Sequence, residues 1–142
     1  MAKDLHAVIR LRQWDVDEKR RAMGALLRRE QEIVEQQHAL EAELKREGEA
    51  ARKTEDAGFI FGAYYQRYQM RRDQLAQALT TLQGLIEKAQ DELADAFREL
   101  KTFEISQENR DKREAEAENR KDQVALDEIA MTLHRRRKQG LD

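Results

Sequence analysis

The stretch LAQALTTLQGLIEKAQDELADAFRELKTF, residues 75–103, decides the fold because its apolar residues recur at alternating steps of four and three. The same spacing can be followed back into the residues before it. The apolar positions of this series are Phe61, Tyr65, Tyr68, Leu75, Leu79, Leu82, Ile86, Ala89, Leu93, Ala96, Leu100 and Phe103. Such a narrow stripe on one helix is typical of a coiled coil, whose apolar seam packs against a partner helix.

A second, less regular series with the same spacing lies in the first third of the chain. Its apolar members are Leu5, Ile9, Val16, Met23, Leu26, Ile33, Leu40, Leu44 and Ala51. Two seams of similar length in one chain can satisfy each other if the chain folds back on itself. We therefore predict an all-α fold, a single domain over residues 1–142, in which two long helices form an antiparallel coiled-coil hairpin.

The interruption between the seams has the chemistry of a turn. Gly58 and Gly62 bracket the sequence GFIFG, and glycine readily adopts the left-handed conformation in which many helices end. This places helix 1 at about 4–54, the turn at about 54–62 and helix 2 at about 62–139. Asp56 is positioned to cap the second helix.

Folding the chain back near Gly58 pairs apolar residues of the two seams with each other. In this register Met23 faces Leu93 and Ala96. The second helix is the longer of the two, so we expect it to overhang the N-terminus of the first.

Composition restricts the function. Charged residues make up 39% of the chain, against about a quarter in ordinary globular domains, and proline and cysteine are absent. The net charge of −2 argues against nucleic-acid binding, which needs a large basic excess. No apolar run approaches the roughly 20 residues that cross a bilayer, so we expect no direct membrane insertion and a cytoplasmic location.

The sequence offers little for catalysis. It contains neither GxxxxGK[ST] nor GxGxxG, and Ser106 has no nearby histidine to activate it. Glu35 and His38 have the Glu-x-x-His spacing of di-iron bundles, but a second copy of the motif is missing. We predict that the chain is not an enzyme and has no catalytic residue, cofactor or metal site; a metal-binding bundle is the alternative.

Apolar residues near the two chain ends have no apolar counterpart in the hairpin. Leu5, Val8 and Ile9 fall opposite the polar stretch that follows Phe103, and Leu126, Ile129 and Leu133 return as a short stripe beyond it. We predict that both patches bind a partner. The alternatives are that they pack on each other through a bend, or that they form a homodimer contact.

The aromatic residues around the turn allow two interpretations. Phe61, Tyr65 and Tyr68 lie in the seam and favour a plug that closes the hairpin. Phe59 and Tyr64 lie off the seam, which favours an exposed recognition site.

The chain resembles the FliJ family of flagellar type III export proteins, especially the form found in alphaproteobacteria. The segments that carry this resemblance are WDVDEKRR (14–21), MRRDQL (70–75), LADAFRELKTFE (93–104) and ALDEIAMTLHRR (125–136). Their order and spacing around a central turn match the family over nearly the whole chain.

The resemblance implies a role that the residues alone do not. Members of the family look like the central coiled-coil stalk of rotary ATPases, and the implied partners are the flagellar export ATPase ring, the export gate protein and export chaperones. It also implies a site at the flagellar base, peripheral to the inner membrane. Family contacts with the gate correspond to Gln37, Leu40, Leu44, Tyr65 and Tyr68. The alternative is a generic coiled-coil scaffold or an injectisome stalk.

Overall fold

A computed structural model describes residues 4–140 of the chain. Two helices account for nearly all of this range: α1, His6–Arg52, and α2, Ala57–Lys138. The described residues contain no strand, which confirms the predicted all-α hairpin of two long helices. The second helix is the longer, with 82 residues against 47.

The chain forms two compact units. One contains residues 14–97, which include the turn and both flanking helical arms. The other contains residues 4–13 together with residues 98–140. We call them the hairpin unit and the terminal unit.

The turn closes α1 with hydrogen bonds to carbonyls three residues back. The Lys53 N–H donates to the Ala50 carbonyl at 3.2 Å, and the Thr54 N–H donates to the Ala51 carbonyl at 3.4 Å. The Thr54 hydroxyl also donates to the Ala50 carbonyl, at 3.4 Å. Tightening the last turn in this way satisfies terminal carbonyls without a left-handed residue.

The turn therefore differs from the one expected around GFIFG. Since α2 begins at Ala57, Gly58 and Gly62 lie within its first turns, and Asp56 occupies the position before the helix. Neither glycine has positive φ, and an added Cβ at either would meet nothing within 4 Å. The turn needs no glycine, which is why a glycine-based prediction extended it too far along the chain.

The core of the hairpin unit lies along the two predicted seams. Met23, Ile33, Leu75, Leu82 and Ile86 form one buried cluster, and each belongs to a heptad series. Leu26, Leu40, Leu79 and Ala89 pack against this cluster. The buried residues Val16, Tyr68 and Ala96 extend the seams beyond it.

Polar contacts between the helices fix the register. Lys19 Nζ lies 3.8 Å from a Glu92 carboxylate oxygen, and the Tyr68 hydroxyl donates to Glu41 at 2.8 Å. Both pairs are centred close to residue 55, in the middle of the observed turn.

This register corrects the pairing predicted for Met23. Met23 shares its cluster with Ile86 and Ala89 rather than facing Leu93 and Ala96. The physical reason is the turn: a hairpin that folds nearer residue 55 than residue 58 opposes each residue of α1 to an earlier part of α2.

In the terminal unit, the start of α1 pairs with the middle of α2. The Leu5 N–H donates to Gln107 Oε1 at 2.9 Å, and Arg12 forms an ion pair with Glu99 at 2.9 Å. The Arg12 guanidinium also lies 5.6 Å from the centre of the Phe103 ring. From residue 111 to residue 140 every residue is exposed.

The end of α2 follows the rules for a helix C-terminus. Its last turn carries Arg135, Arg136, Arg137 and Lys138, whose positive charge suits the negative end of the helix dipole. Gly140 follows with φ of 69°, the left-handed conformation that glycine adopts without strain. No helix in the described range is long and apolar enough to cross a membrane.

Candidate partner-binding surfaces

The predicted C-terminal stripe is open to solvent. Leu126, Ile129 and Leu133 are 61%, 57% and 53% exposed, and their spacing of three and four residues puts them on one side of α2. Large apolar side chains in a row on an otherwise charged helix are typical of interaction surfaces. We call these three residues the C-terminal stripe.

The opposite side of the same segment is apolar as well. Val124 and Met131 are 58% and 62% exposed, seven residues apart, and lie across the helix from the C-terminal stripe. The sequence analysis did not identify them, although their own spacing of seven was the available signal. A helix with apolar side chains on opposite sides is typically covered on both.

The predicted N-terminal patch is less open. Leu5, Val8 and Ile9 are each half-buried in the terminal unit. The backbone of Leu5 is bound to the side chain of Gln107, so this end of α1 is held against α2 by a polar contact. The patch presents only part of its apolar surface to a partner.

Four of the five residues matched to gate contacts line one groove along the hairpin unit. Gln37 and Leu40 line a hollow with His38, Glu41 and Arg72. Leu44 and Tyr65 line the next hollow along α1, and its other residues are Lys45, Gly48, Glu49, Arg52 and Phe61. We call the surface formed by these two hollows the first groove.

Tyr68, the fifth of these residues, supports the groove from below. It is only 5% exposed, and its hydroxyl donates to Glu41. The hydrogen bond to Glu41 and then burial raise the pKa of Tyr68 above its usual value of 10.0. Its ring lies 5.6 Å from that of Tyr65, centre to centre, so Tyr68 holds Tyr65 in place rather than presenting its own surface.

The aromatic residues near the turn divide between the two interpretations. The Phe61 ring packs against those of Tyr64 and Tyr65, with distances of 6.1 and 6.2 Å between ring centres. A Cβ added to Gly48 would lie 3.8 Å from the Phe61 ring. This packing agrees with the interpretation in which aromatic residues close the hairpin at the turn. Phe59 is 90% exposed and lies outside it.

A second groove follows the other side of the seam and was not predicted. One hollow is lined by Gln36, Ala39, Leu40, Glu43, Arg71 and Leu75. The next is lined by Glu47, Ala50, Ala51, Thr54, Ile60, Phe61 and Tyr64. Leu40 and Phe61 belong to both grooves because they lie in the seam between them. We call this surface the acidic groove, after Glu43 and Glu47.

The arrangement offers surfaces for binding. Across the described residues, no three His, Cys, Asp or Glu side chains come together as a metal site would require. His38 lines the first groove beside Gln37 and Arg72. What the two grooves and the C-terminal stripe share is exposed apolar surface next to charged side chains, which suits contacts with other proteins.

Comparison with known protein families places the chain. The profile of the family described as "Flagellar FliJ protein" matches residues 1–139 of this chain. No curated protein and no solved structure matches it. The matched range contains every candidate partner-binding residue described above, together with the turn and both helices. Because the match covers nearly the whole sequence, the chain belongs to the FliJ family of flagellar proteins, whose role is related to flagellar export.

Proposed function

We propose that this protein is a non-enzymatic coupling subunit, or stalk, of the flagellar type III export apparatus. In this proposal the C-terminal segment of α2 enters the ring of the export ATPase. The protein acts in the cytoplasm at the flagellar base, peripheral to the inner membrane. Export chaperones are further partners.

The observation that supports ring insertion best is the apolar surface on opposite sides of residues 124–133. A flat partner surface would cover the C-terminal stripe and leave Val124 and Met131 in water. A ring encloses a helix from several directions and would cover both sides. The four basic residues in the last turn of α2 add a charge that an acidic part of such a ring would attract.

A pull-down with the export ATPase tests this proposal. Replacing the C-terminal stripe by L126S/I129S/L133S should reduce recovery of the ATPase about tenfold or more, because apolar contacts at an interface core dominate affinity. Cells that carry the variant should lose motility. Far-UV circular dichroism would establish that the variant remains helical.

The matched control is A115S/A117S, which makes the same kind of change in the exposed polar part of α2. It should bind the ATPase as the unaltered protein does. If the triple variant retained full ATPase binding and motility, the assignment of the C-terminal segment to the ring would be wrong.

For the export gate we propose the first groove as the contact surface. Support comes from the matched positions Gln37, Leu40, Leu44 and Tyr65, which line consecutive hollows of that groove. The cytoplasmic domain of the gate protein, used as bait, should capture a Tyr65→Ser variant less well than the unaltered chain. The same variant should bind the ATPase normally, which separates the two surfaces. Equal capture of both chains would remove the gate assignment.

A further inference from the structure

The acidic groove combines apolar hollows with negative charge in a fixed order. Ala39, Leu40 and Leu75 form an apolar hollow at one end, and Ala50, Ala51 and Ile60 form another near the turn. Glu43 and Glu47 lie one helical turn apart on α1, so their side chains are neighbours. A partner for this surface must be apolar and carry positive charge next to its apolar part.

Two cations, Arg71 and Arg46, lie near the carboxylates of the acidic groove but form no ion pair with them. Among the described residues, neither Glu43 nor Glu47 forms an ion pair with a basic side chain. Arg71 is held at the hollow beside Leu40 by neutral partners, since its guanidinium donates to Gln36 at 3.3 Å and to Gln74 at 3.5 Å.

The negative charge of these carboxylates affects the pKa of Tyr64. Its hydroxyl is shielded from solvent, and burial, then the negative charge of Glu43, raise the pKa of Tyr64 above its usual value. Glu47 contributes in the same direction, and the smaller effect of Arg46 opposes both carboxylates. The groove wall is therefore a place where added positive charge lowers the electrostatic energy.

The C-terminal segment of α2 has the complementary pattern. Its exposed stripe of Leu126, Ile129 and Leu133 is followed by Arg136 and Arg137, which lie three and four residues after Leu133 and so continue the same side of the helix. None of its four terminal basic residues forms an ion pair with a described residue.

The C-terminal segment also matches part of the acidic groove in length. Leu126 and Arg137 are separated by the same number of residues as Gln36 and Glu47, and all four lie in α-helices. Because every residue of a helix adds about 1.5 Å, this segment spans the acidic groove from Gln36 to Glu47, and the hollow near the turn extends beyond it to Thr54. When Leu126 lies beside Gln36, Arg137 is level with Glu47, and Arg136 lies three residues, about 4.5 Å along the helix axis, beyond the level of Glu43.

We propose that the acidic groove of one molecule binds the segment Leu126–Lys138 of a second copy of this chain. The C-terminal stripe covers the hollow lined by Ala39, Leu40 and Leu75, and Arg136 and Arg137 pair with Glu43 and Glu47. If each molecule gives its segment to the other, the two equal contacts close a symmetric dimer. This self-association goes beyond the proposed export role and does not depend on it.

A charge exchange tests the contact on the full chain. Sedimentation velocity over a roughly hundredfold range of concentration should show the unaltered protein passing from monomer to dimer. E43K/E47K and R136E/R137E should each raise the dissociation constant about tenfold or more, because each places like charges together. An equimolar mixture of the two variants should recover association, since the reversed segment of one then meets the reversed groove of the other.

The control E49K/E55K makes the same change in net charge outside the acidic groove, and it should associate as the unaltered protein does. Glu43 and Glu47 are exposed, so their substitution should leave the folded hairpin intact, as circular dichroism would verify. The proposal is overturned if the unaltered protein is monomeric throughout, or if the mixed variants associate no better than either alone. ATPase capture by E43K/E47K, whose substitutions lie outside the C-terminal segment, separates this result from a failure of the stalk role.

Discussion

At the scale of single residues, Tyr68 shows how one side chain links the seam to the binding surface. Its ring fills the seam, its hydroxyl bonds to Glu41 on the other helix, and its face carries Tyr65 and the Arg72 guanidinium, 5.8 Å from the ring centre. The family resemblance grouped Tyr68 with contact residues. Its burial gives it the different task of positioning one of them.

We expect Tyr68→Phe to lower the free energy of unfolding by about 1 kcal/mol, the typical contribution of one hydrogen bond. Glu41 is exposed and regains water, which keeps the loss at this modest level. Urea denaturation at neutral pH measures it. A loss of several kcal/mol would mean that the hydroxyl supports more than this one contact.

The pH dependence of the same pair has a definite sign. The pKa of Tyr68 is raised in the folded protein, so folding favours the protonated hydroxyl. This stabilisation is complete below the usual tyrosine pKa of 10.0 and is lost as the pH rises through the higher, folded value. The difference in stability between the unaltered protein and Tyr68→Phe should therefore shrink above about pH 10. A difference that stayed constant would contradict the assignment.

At the scale of helices, α2 contains a glycine that its surroundings do not require. Gly84 lies in the middle of the helix, exposed, and an added Cβ would meet nothing within 4 Å. A glycine in a helix interior is less favourable than alanine because it loses more backbone freedom on folding.

Gly84→Ala should therefore raise the free energy of unfolding by about 0.5–1 kcal/mol. Thermal and urea denaturation both report this change. Gly140→Ala is the matched contrast, because the positive φ of Gly140 strains any other residue and gives no such gain. If Gly84→Ala destabilised the protein, close packing of another chain against Gly84 would be the explanation to examine.

Much of the architecture follows from the sequence because a coiled-coil seam is a local, repeated signal. Val16, Met23, Ile33 and the other buried residues all occupy heptad positions that can be read without a structure. The turn was less readable. The i→i−3 hydrogen bonds that end α1 at Lys53 and Thr54 have no distinctive residue pattern, whereas the glycines of GFIFG suggested a different position.

The candidate surfaces divide in the same way. Leu126, Ile129 and Leu133 were visible as a stripe because no apolar series lies opposite them. The acidic groove was not visible, since Glu43, Arg71 and Ile60 come together only when the register of the two helices is known. Grooves between helices depend on pairing, which a one-dimensional pattern determines only as well as it determines the turn.

At the scale of the whole molecule, the C-terminal segment has two proposed binding partners, the ATPase ring and a second copy of the chain. Both contacts use Leu126, Ile129 and Leu133, so they cannot form at the same time. Self-association would then keep this apolar surface covered until the ring is available, which protects an exposed stripe from unspecific contacts.

Competition between the two contacts can be measured directly. Fluorescently labelled protein is held at a concentration where it is dimeric. As unlabelled export ATPase is added, the dimers should dissociate and each labelled chain should bind the ATPase as a single copy. The E43K/E47K variant, already monomeric, should bind the ATPase at lower ATPase concentrations than the unaltered protein, because it has no dimer to dissociate. Complexes that contain two copies joined through their acidic grooves would contradict this competition.

The uninterrupted exposure of residues 111–140 has a thermodynamic consequence. A helix without buried contacts depends on intrinsic propensity and on neighbouring pairs such as Gln123 with Asp127, and its free energy of opening is small. Any protein that grips this segment must first complete its folding, so part of the interaction energy is consumed in ordering it. Substitutions that raise the helicity of this segment far from the contact would then tighten binding without adding a single contact. The affinity for a partner would therefore depend on the intrinsic stability of the helix.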